Sequence, residues 1–275
     1  MNIESTFGTA TPVIGMVHLG PLPGAPKAAA DGAAAMQSVL EGAVADARAL
    51  ERGGVDGVLV ENFGDAPFHP DDVPKHTVAA TTRAATAVAD ATTLPIGINV
   101  LRNDAEAAVS VAAAVDAAFV RVNVHTGARV TDQGIVEGRA HETLRLRERL
   151  GVDVEIFADT DVKHSAPLTP EGYSAESFAD ATERGLADAV VASGSGTGAA
   201  IDRAALEAVV DERERHGLET PVFVGSGVRP ETIGDLLALA DGVIVGTALK
   251  AAGETTAPVD EERVATLVSR ADDCR

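Results

Sequence analysis

The ten residues IFADTDVKHS (156–165) run from an apolar stretch straight into Asp159, Asp161, Lys163 and His164. A lysine beside a carboxylate suits general acid–base work or the stabilisation of developing negative charge. A Schiff base at Lys163 carries less weight, because that residue falls on a loop rather than a strand. The competing reading is a solvated loop, of which Asp161 is the exposed member. Residues of the same kind close other apolar runs: His18 ends VIGMVH, Glu61 and Asn62 follow GVLV, Asn99 ends GIN, and Asn123 and His125 follow FVRV. Any one of them alone reads as packed or solvated. Together, at the same end of several strands, they are costly as pure stability devices, since buried polar groups must be paired. The expected catalytic set is Asp159, Lys163, Glu61, His18 and His164, with Asn62, Asn99, Asn123 and His125 contacting ligand. A divalent metal on Glu61, Asp159 and His18 stays open, although no compact ligand motif supports it, and no other cofactor is expected.

A second signal is the closing pair VGSGVRPETI (224–233) and DGVIVGTALK (241–250). Glycines at strand ends let backbone N–H groups approach an anion, and helix starts behind them add partial positive charge. Gly225, Ser226, Gly227, Gly246 and Thr247 are therefore expected to bind phosphate, with Lys250 adding charge. Gly194 of SGSGTG (193–198) would supply further donors or belong to a flexible cover. The plainer alternative is that these glycines only permit tight strand-to-helix turns.

Such residues converge only if the chain brings strand ends together. Eight short β-rich runs recur, VIGMVH (13–18), VDGVLVE (55–61), PIGINV (95–100), AFVRVNV (118–124), VEIFAD (154–159), DAVVAS (188–193), PVFVG (221–225) and DGVIVG (241–246). Between them lie helical patterns, among them 36–54, 138–151 and 229–240, the last with Pro230 in its first turn. Near-continuous apolar strands alternating with helices indicate parallel strands buried on both faces. Eight such units predict an α/β fold, a single (β/α)8 TIM barrel over residues 1–275. A doubly wound sheet is the alternative, but no GxGxxG follows the first strand. The longest connections follow strands 1, 2, 4, 5 and 6, at the barrel face where active sites are built. MVHLGPLPGAP (16–26), stiffened by three prolines, would wall that face.

Composition narrows the function. The formal net charge is −20, from 42 acidic and 22 basic residues, which disfavours nucleic acid and anionic lipid as partners. Only Lys27, Lys75, Lys163 and Lys250 are lysine, a pattern that fits a salt-loaded, halophilic cytosol. Aromatics are 3% of the chain, so the core is expected to consist of Ala, Val, Leu and Ile. No apolar stretch reaches membrane-spanning length, and MNIESTFGTATPV lacks the build of a signal peptide, so a cytoplasmic location is expected. Cys274 alone can form no internal disulfide. The expected partner is a phosphorylated small molecule; a homo-oligomer is not excluded.

GMVHLGPLPGAP, GVDGVLVENFGDAPF, INVLRND, FVRVNVHTGARVTDQGIVEGRA, FADTDVKHSAPL, SGSGTG and DGVIVGTALK, in order along nearly the whole chain, resemble the BtpA family. That family is named for a cyanobacterial factor in photosystem I biogenesis. The resemblance implies one TIM-type barrel related to phosphate-binding barrels, and no settled reaction. Two function classes follow. One is an enzyme using acid–base or glycosidic-bond chemistry on a phosphorylated sugar or nucleotide-like molecule. The other is a non-catalytic assembly factor that keeps the barrel.

The charge balance makes one testable statement. Screening should relieve self-repulsion in the folded state, so the thermal midpoint should climb steeply between dilute buffer and molar KCl. A flat melting curve across that series would remove the halophilic reading.

Overall fold

The computed structural model describes residues 1–160, 162, 164–168, 177–194, 196 and 201–275. The chain opens with α1 (Ile3–Phe7), β1 (Val13–His18), α2 (Gly32–Arg52), β2 (Gly57–Glu61), α3 (Lys75–Ala89), β3 (Ile96–Asn99) and α4 (Ala105–Ala114). It continues through β4 (Phe119–Val122), a hairpin of β5 (Ala128–Thr131) and β6 (Gly134–Glu137), α5 (Ala140–Leu150), β7 (Glu155–Asp159) and β8 (Ser165–Pro167). The remainder is α6 (Ser177–Ala179) running into a π-helical turn, β9 (Ala189–Ala192), α7 (Arg203–Arg215), β10 (Val222–Val224), α8 (Ile233–Leu237), β11 (Gly242–Val245) and α9 (Glu261–Asp272). Strands β1, β11, β10, β9, β7, β4, β3 and β2 close, in that order, into a parallel barrel, a TIM-type (β/α)8 fold. All eight strands expected from the apolar runs are present.

Alternation along each strand separates two cores. Outward residues such as Val13, Val58, Ile98, Val120, Ile156 and Val222 pack against Ala, Val and Leu of the surrounding helices. Inward residues Met16, Leu59, Phe119, Phe157, Phe223 and Ile244 fill the barrel, and Phe7 of α1 plugs its base. The rings of Phe119 and Phe157 lie 4.6 Å apart, and those of Phe157 and Phe223 4.8 Å. The expectation of a purely aliphatic core is therefore corrected: the helix layer is mostly aliphatic, with Phe178 in it, and the barrel interior is built on phenylalanine. Space for the rings comes from glycine, since a Cβ on Gly97 would stand 2.2 Å from Phe119. Two further departures concern connections. The segment after β4 forms a hairpin that, with β8, makes a three-stranded antiparallel sheet. Helix α8 starts only at Ile233, so Pro230 lies in the turn ahead of it.

The N-terminal face is stitched by a repeated device. Asp56, Asp188 and Asp241, each just before a strand, accept hydrogen bonds from Val13, Ile156 and Val222 N–H at 2.8 Å. Each of those donors begins or lies next to the start of the neighbouring strand, where no ladder partner precedes it. An arginine closes each unit: Arg275 on Asp56 at 2.5 Å, and Arg147 on Asp188 and Arg213 on Asp241, both at 2.7 Å. Acidic residues are thus spent on backbone donors at the end of the barrel that reads as stability. Among the described residues, no helix is long and apolar enough to cross a membrane.

Removing one such acceptor orphans a buried N–H, at about 1–3 kcal/mol. Asp241→Ala should lower the urea-unfolding free energy by that amount, whereas Asp241→Asn, which keeps an acceptor oxygen, should lose less.

Candidate active site

One step beyond the barrel's apolar filling, the same alternation changes chemistry. Met16 leads to His18, Leu59 to Glu61, Gly97 to Asn99, Phe119 to Arg121 and then Asn123, and Phe157 to Asp159. Val191 leads to Ser193, Phe223 to Gly225 and Ile244 to Gly246. The result is a polar layer at the C-terminal ends of the strands, beneath a cavity of about 1300 Å³.

Arg121 and Asp159 hold the centre of that layer. Arg121 Nε donates to Asp159 Oδ1 at 2.8 Å and Nη2 to Oδ2 at 2.9 Å, with both side chains almost fully buried. Burial alone would lower the guanidinium pKa, but the charge and hydrogen bonds of Asp159 outweigh it and the pKa is raised. Asn123 Nδ2 also donates to Asp159 at 3.2 Å, and Asn99 Nδ2 donates to Asn123 Oδ1 at 3.2 Å and to the Arg121 carbonyl at 2.8 Å. Asp159 therefore serves as counter-ion behind Arg121; its oxygens are engaged, and Arg121, not Asp159, lines the cavity. This corrects the expectation of Asp159 as a proton-transfer group at the surface of the site. It also weakens the metal option, and no group of three His, Cys, Asp or Glu among the described residues could hold a metal ion. Arg121 was missed, although an arginine inside the apolar run FVRV was a readable signal.

His18 and Glu61 do reach the cavity. His18 Nε2 lies 3.7 Å from Glu61 Oε1, its ring stacks on Phe63 at 4.7 Å, and Nδ1 is 3.2 Å from the Thr255 carbonyl. A carbonyl can only accept, so Nδ1 carries the proton of that bond. In the neutral ring Nε2 is then the basic nitrogen. Thr255 sits on an excursion between β11 and α9 that folds back on itself through Ala251 N–H to the Pro258 carbonyl. Its base is pinned by Lys250, whose Nζ is 2.6 Å from Asp46 of α2, while Val259 N–H donates to the other Asp46 oxygen at 2.8 Å. Lys250 is 1% exposed and does not line the cavity, so the expected phosphate role is corrected to a buried ion pair supporting the excursion.

The other expected residues divide. Asn123, His164, Gly225, Ser226, Gly227, Gly246 and Thr247 line the cavity. Gly227 has φ +67°, and a Cβ on Gly246 would stand 3.1 Å from His18 Cε1, so both glycines have reasons in close approach and conformation. Gly194 N–H donates to Ser226 Oγ at 2.6 Å, tying the β9 and β10 loops together rather than facing the cavity. Asn62 accepts from Leu101 N–H at 2.7 Å and clamps the β3 loop. Asn99 lies beneath Asn123. His125 is turned away: Nε2 donates to the Gly185 carbonyl at 2.8 Å, and burial lowers its pKa. These three are corrected from ligand contacts to supports. Lys163 and Asp161 lie outside the described residues. Unforeseen cavity residues include Arg102, Arg229, Arg263, Phe63 and Phe68.

A family model described as the BtpA family matches residues 9–273. The chain is 44% identical to the photosystem I biogenesis protein BtpA of Synechocystis sp. over 98% of this chain and 90% of that one. It is 46% identical to an uncharacterized protein of Thermococcus kodakarensis, over 96% of each chain. Among solved structures, phosphoribosyl anthranilate isomerase from Thermus thermophilus superposes with TM-score 0.57 at 15% identity, covering 96% of this chain and all of that one. Mycobacterium tuberculosis tryptophan synthase gives 0.60 at 20% identity, over 98% and 97%. At those identities the likeness is one of fold.

The Lys250 assignment has a direct test. Removing one partner of a buried pair leaves the other charge uncompensated, at about 3–5 kcal/mol. Lys250→Met should lower stability on that scale in urea titration. A phosphate ligand at this position would instead show weakened phosphate binding with stability kept.

Proposed function

The chain belongs to the BtpA family, and from that premise we propose that it is an enzyme acting on a phosphorylated sugar or nucleotide-like small molecule at the C-terminal face of its barrel. The carrying observation is the single interior layer in which His18, Glu61, Arg121 and Asn123 face one cavity, with Gly225–Gly227 and Gly246–Thr247 on its other side. Backbone N–H groups of those glycine turns are suited to the phosphate, in the loops where barrels commonly bind it. His18 is suited to move a proton through Nε2, with Glu61 beside it to stabilise the imidazolium. Arg121, held rigid by Asp159, is suited to negative charge developing on the ligand. Lys163 and His164 remain candidates for the same chemistry, proton transfer or glycosidic cleavage.

A second reading has its own support. The Synechocystis relative is named as a biogenesis protein, so a non-catalytic assembly role is the alternative. Such a role gives no reason for a charged layer around an open cavity.

Thermal-shift screening of phosphorylated metabolites in molar KCl, followed by NMR detection of turnover, separates the two. The enzyme reading expects a hit that is converted. It also expects Glu61→Gln and His18→Gln to cut turnover by about 10²-fold or more while the fold persists. Silence across sugar phosphates and nucleotides, with both variants binding the same protein partner as the wild type, would favour the assembly role.

A further inference from the structure

The cavity has two chemically different sides. Against the β1, β2 and β3 loops it is lined by Leu19, Pro21, Phe63, Ala66, Phe68 and Leu101; against the β10 and β11 loops by Gly225, Ser226, Gly227, Arg229, Gly246 and Thr247. The first side carries the aromatic and aliphatic lining, with Lys27 and Arg102 also on it, and the second is built of glycines and small hydroxyls beside Arg229. Aromatic usage sharpens the contrast. Of seven phenylalanines, Phe7, Phe119, Phe157 and Phe223 fill the barrel and Phe178 is buried in the helix layer. The two left, Phe63 and Phe68, are half-buried, and both line the cavity.

The apolar side is also a built slot. A Cβ on Gly64 would stand 2.4 Å from Pro21 N, so the β1 and β2 loops are in direct contact there. Gly64 N–H donates to the Leu19 carbonyl at 2.9 Å, and Leu22 N–H to Asp65 Oδ1 at 2.8 Å. Phe63 is held from beneath by the His18 ring. A braced wall carrying Phe63 costs little ordering on binding, which is what a flat ligand group exploits.

We infer that the ligand carries a planar heteroaromatic ring, which stacks in the Phe63–Phe68 slot, joined through a short sugar-like linker to a phosphate at the glycine turns. This rests on the proposed phosphorylated ligand and narrows it from sugar phosphates to the nucleotide-like class. The span fits: β11 and β2 flank β1, so their loops stand roughly 10 Å apart at the barrel wall, a ribose and one ring in length. His18 and Glu61 lie between the two poles, at the level of the linker and its bond to the ring. A sugar phosphate alone would leave the apolar half of the cavity without a partner.

Calorimetry on the full chain tests this with inorganic phosphate, ribose 5-phosphate, and adenosine, uridine and nicotinamide 5′-mononucleotides. At least one mononucleotide should bind about ten-fold or more tightly than ribose 5-phosphate, the gain expected from stacking one base. Phe68→Leu, which keeps apolar volume but removes the ring face, should erase that gain and leave ribose 5-phosphate affinity unchanged; Phe68→Ala should do the same if it folds. Equal affinity for ribose 5-phosphate and every mononucleotide overturns the ring slot and leaves the phosphorylated-sugar reading standing. So does a preference that Phe68→Leu leaves intact. No binding of any probe, phosphate included, overturns both readings.

Discussion

A guanidinium inside a barrel must carry its own solvent, and meeting that need sets residue types on five strands. Strand alternation sends Arg121 inward directly above Phe119, where it is almost fully buried beneath the cavity. The cost of burying an ion is several kcal/mol unless a counter-charge and hydrogen bonds replace hydration. Asp159, on the neighbouring β7, supplies both oxygens; Asn123 satisfies the same carboxylate, and Asn99 of β3 anchors Asn123 and the Arg121 carbonyl. Ser193, past β9, lies 3.4 Å from Arg121 Nη2. Just past β10 the position must be glycine, because a Cβ on Gly225 would stand 2.7 Å from Ser193 Oγ and 3.1 Å from Nη2. That glycine is also what keeps the floor of the cavity open toward the β10 loop.

The two ends of the barrel use charge for opposite purposes. At the N-terminal face, Asp56, Asp188 and Asp241 satisfy strand N–H groups and are closed by arginines, so each charge stabilises backbone. At the C-terminal face, some charges still brace backbone, as Asp65 does for Leu22 N–H, but His18, Glu61 and Arg121 are presented to a cavity. The excursion carrying Thr255 links the two regimes. Its own base is fixed by the buried Lys250–Asp46 pair, and its tip sets the protonated nitrogen of His18. Stability at a distance thus decides which nitrogen of a mouth histidine is basic.

The eight strands and their closure were legible because hydrophobic alternation and helix spacing are local signals. Strand ends therefore pointed to the right layer, and His18, Glu61, Asn123 and the two glycine turns could be placed at the mouth from sequence. What failed was direction and pairing. Whether Lys250 faces the cavity or α2 depends on an excursion that re-enters as a short bridge with Val259, a contact no period reveals. His125 and Asn62 follow strand ends just as Asn123 does, yet one turn of backbone sends them into loop contacts. Arg121 in FVRV is a visible signal, but its direction is not: a charge there reads as outward until Asp159 is found opposite it. Phenylalanine was discounted because it is rare, although a barrel interior needs only a few large rings to fill it.

Scarcity also governs the electrostatics of the mouth. An anion approaching a protein of net charge −20 is repelled at long range. Among the described residues, five basic ones line the cavity, Lys27, Arg102, Arg121, Arg229 and Arg263, and four acidic ones, Glu61, Glu231, Asp260 and Glu262. Arg121 is neutralised by Asp159 behind it, which leaves four cations facing four carboxylates. Among the described residues the charges at the mouth nearly balance, whereas the chain as a whole carries −20. In molar salt the Debye length falls to about 3 Å, so the distant carboxylates are screened and only groups in contact with a ligand are felt. For the phosphorylated ligand proposed above, the groups felt at contact would then be a few arginines and the glycine turns. In dilute buffer the same site would lie inside a repulsive field. On the proposed reading, the same screening that relieves self-repulsion of the folded chain also opens the cavity to an anionic ligand.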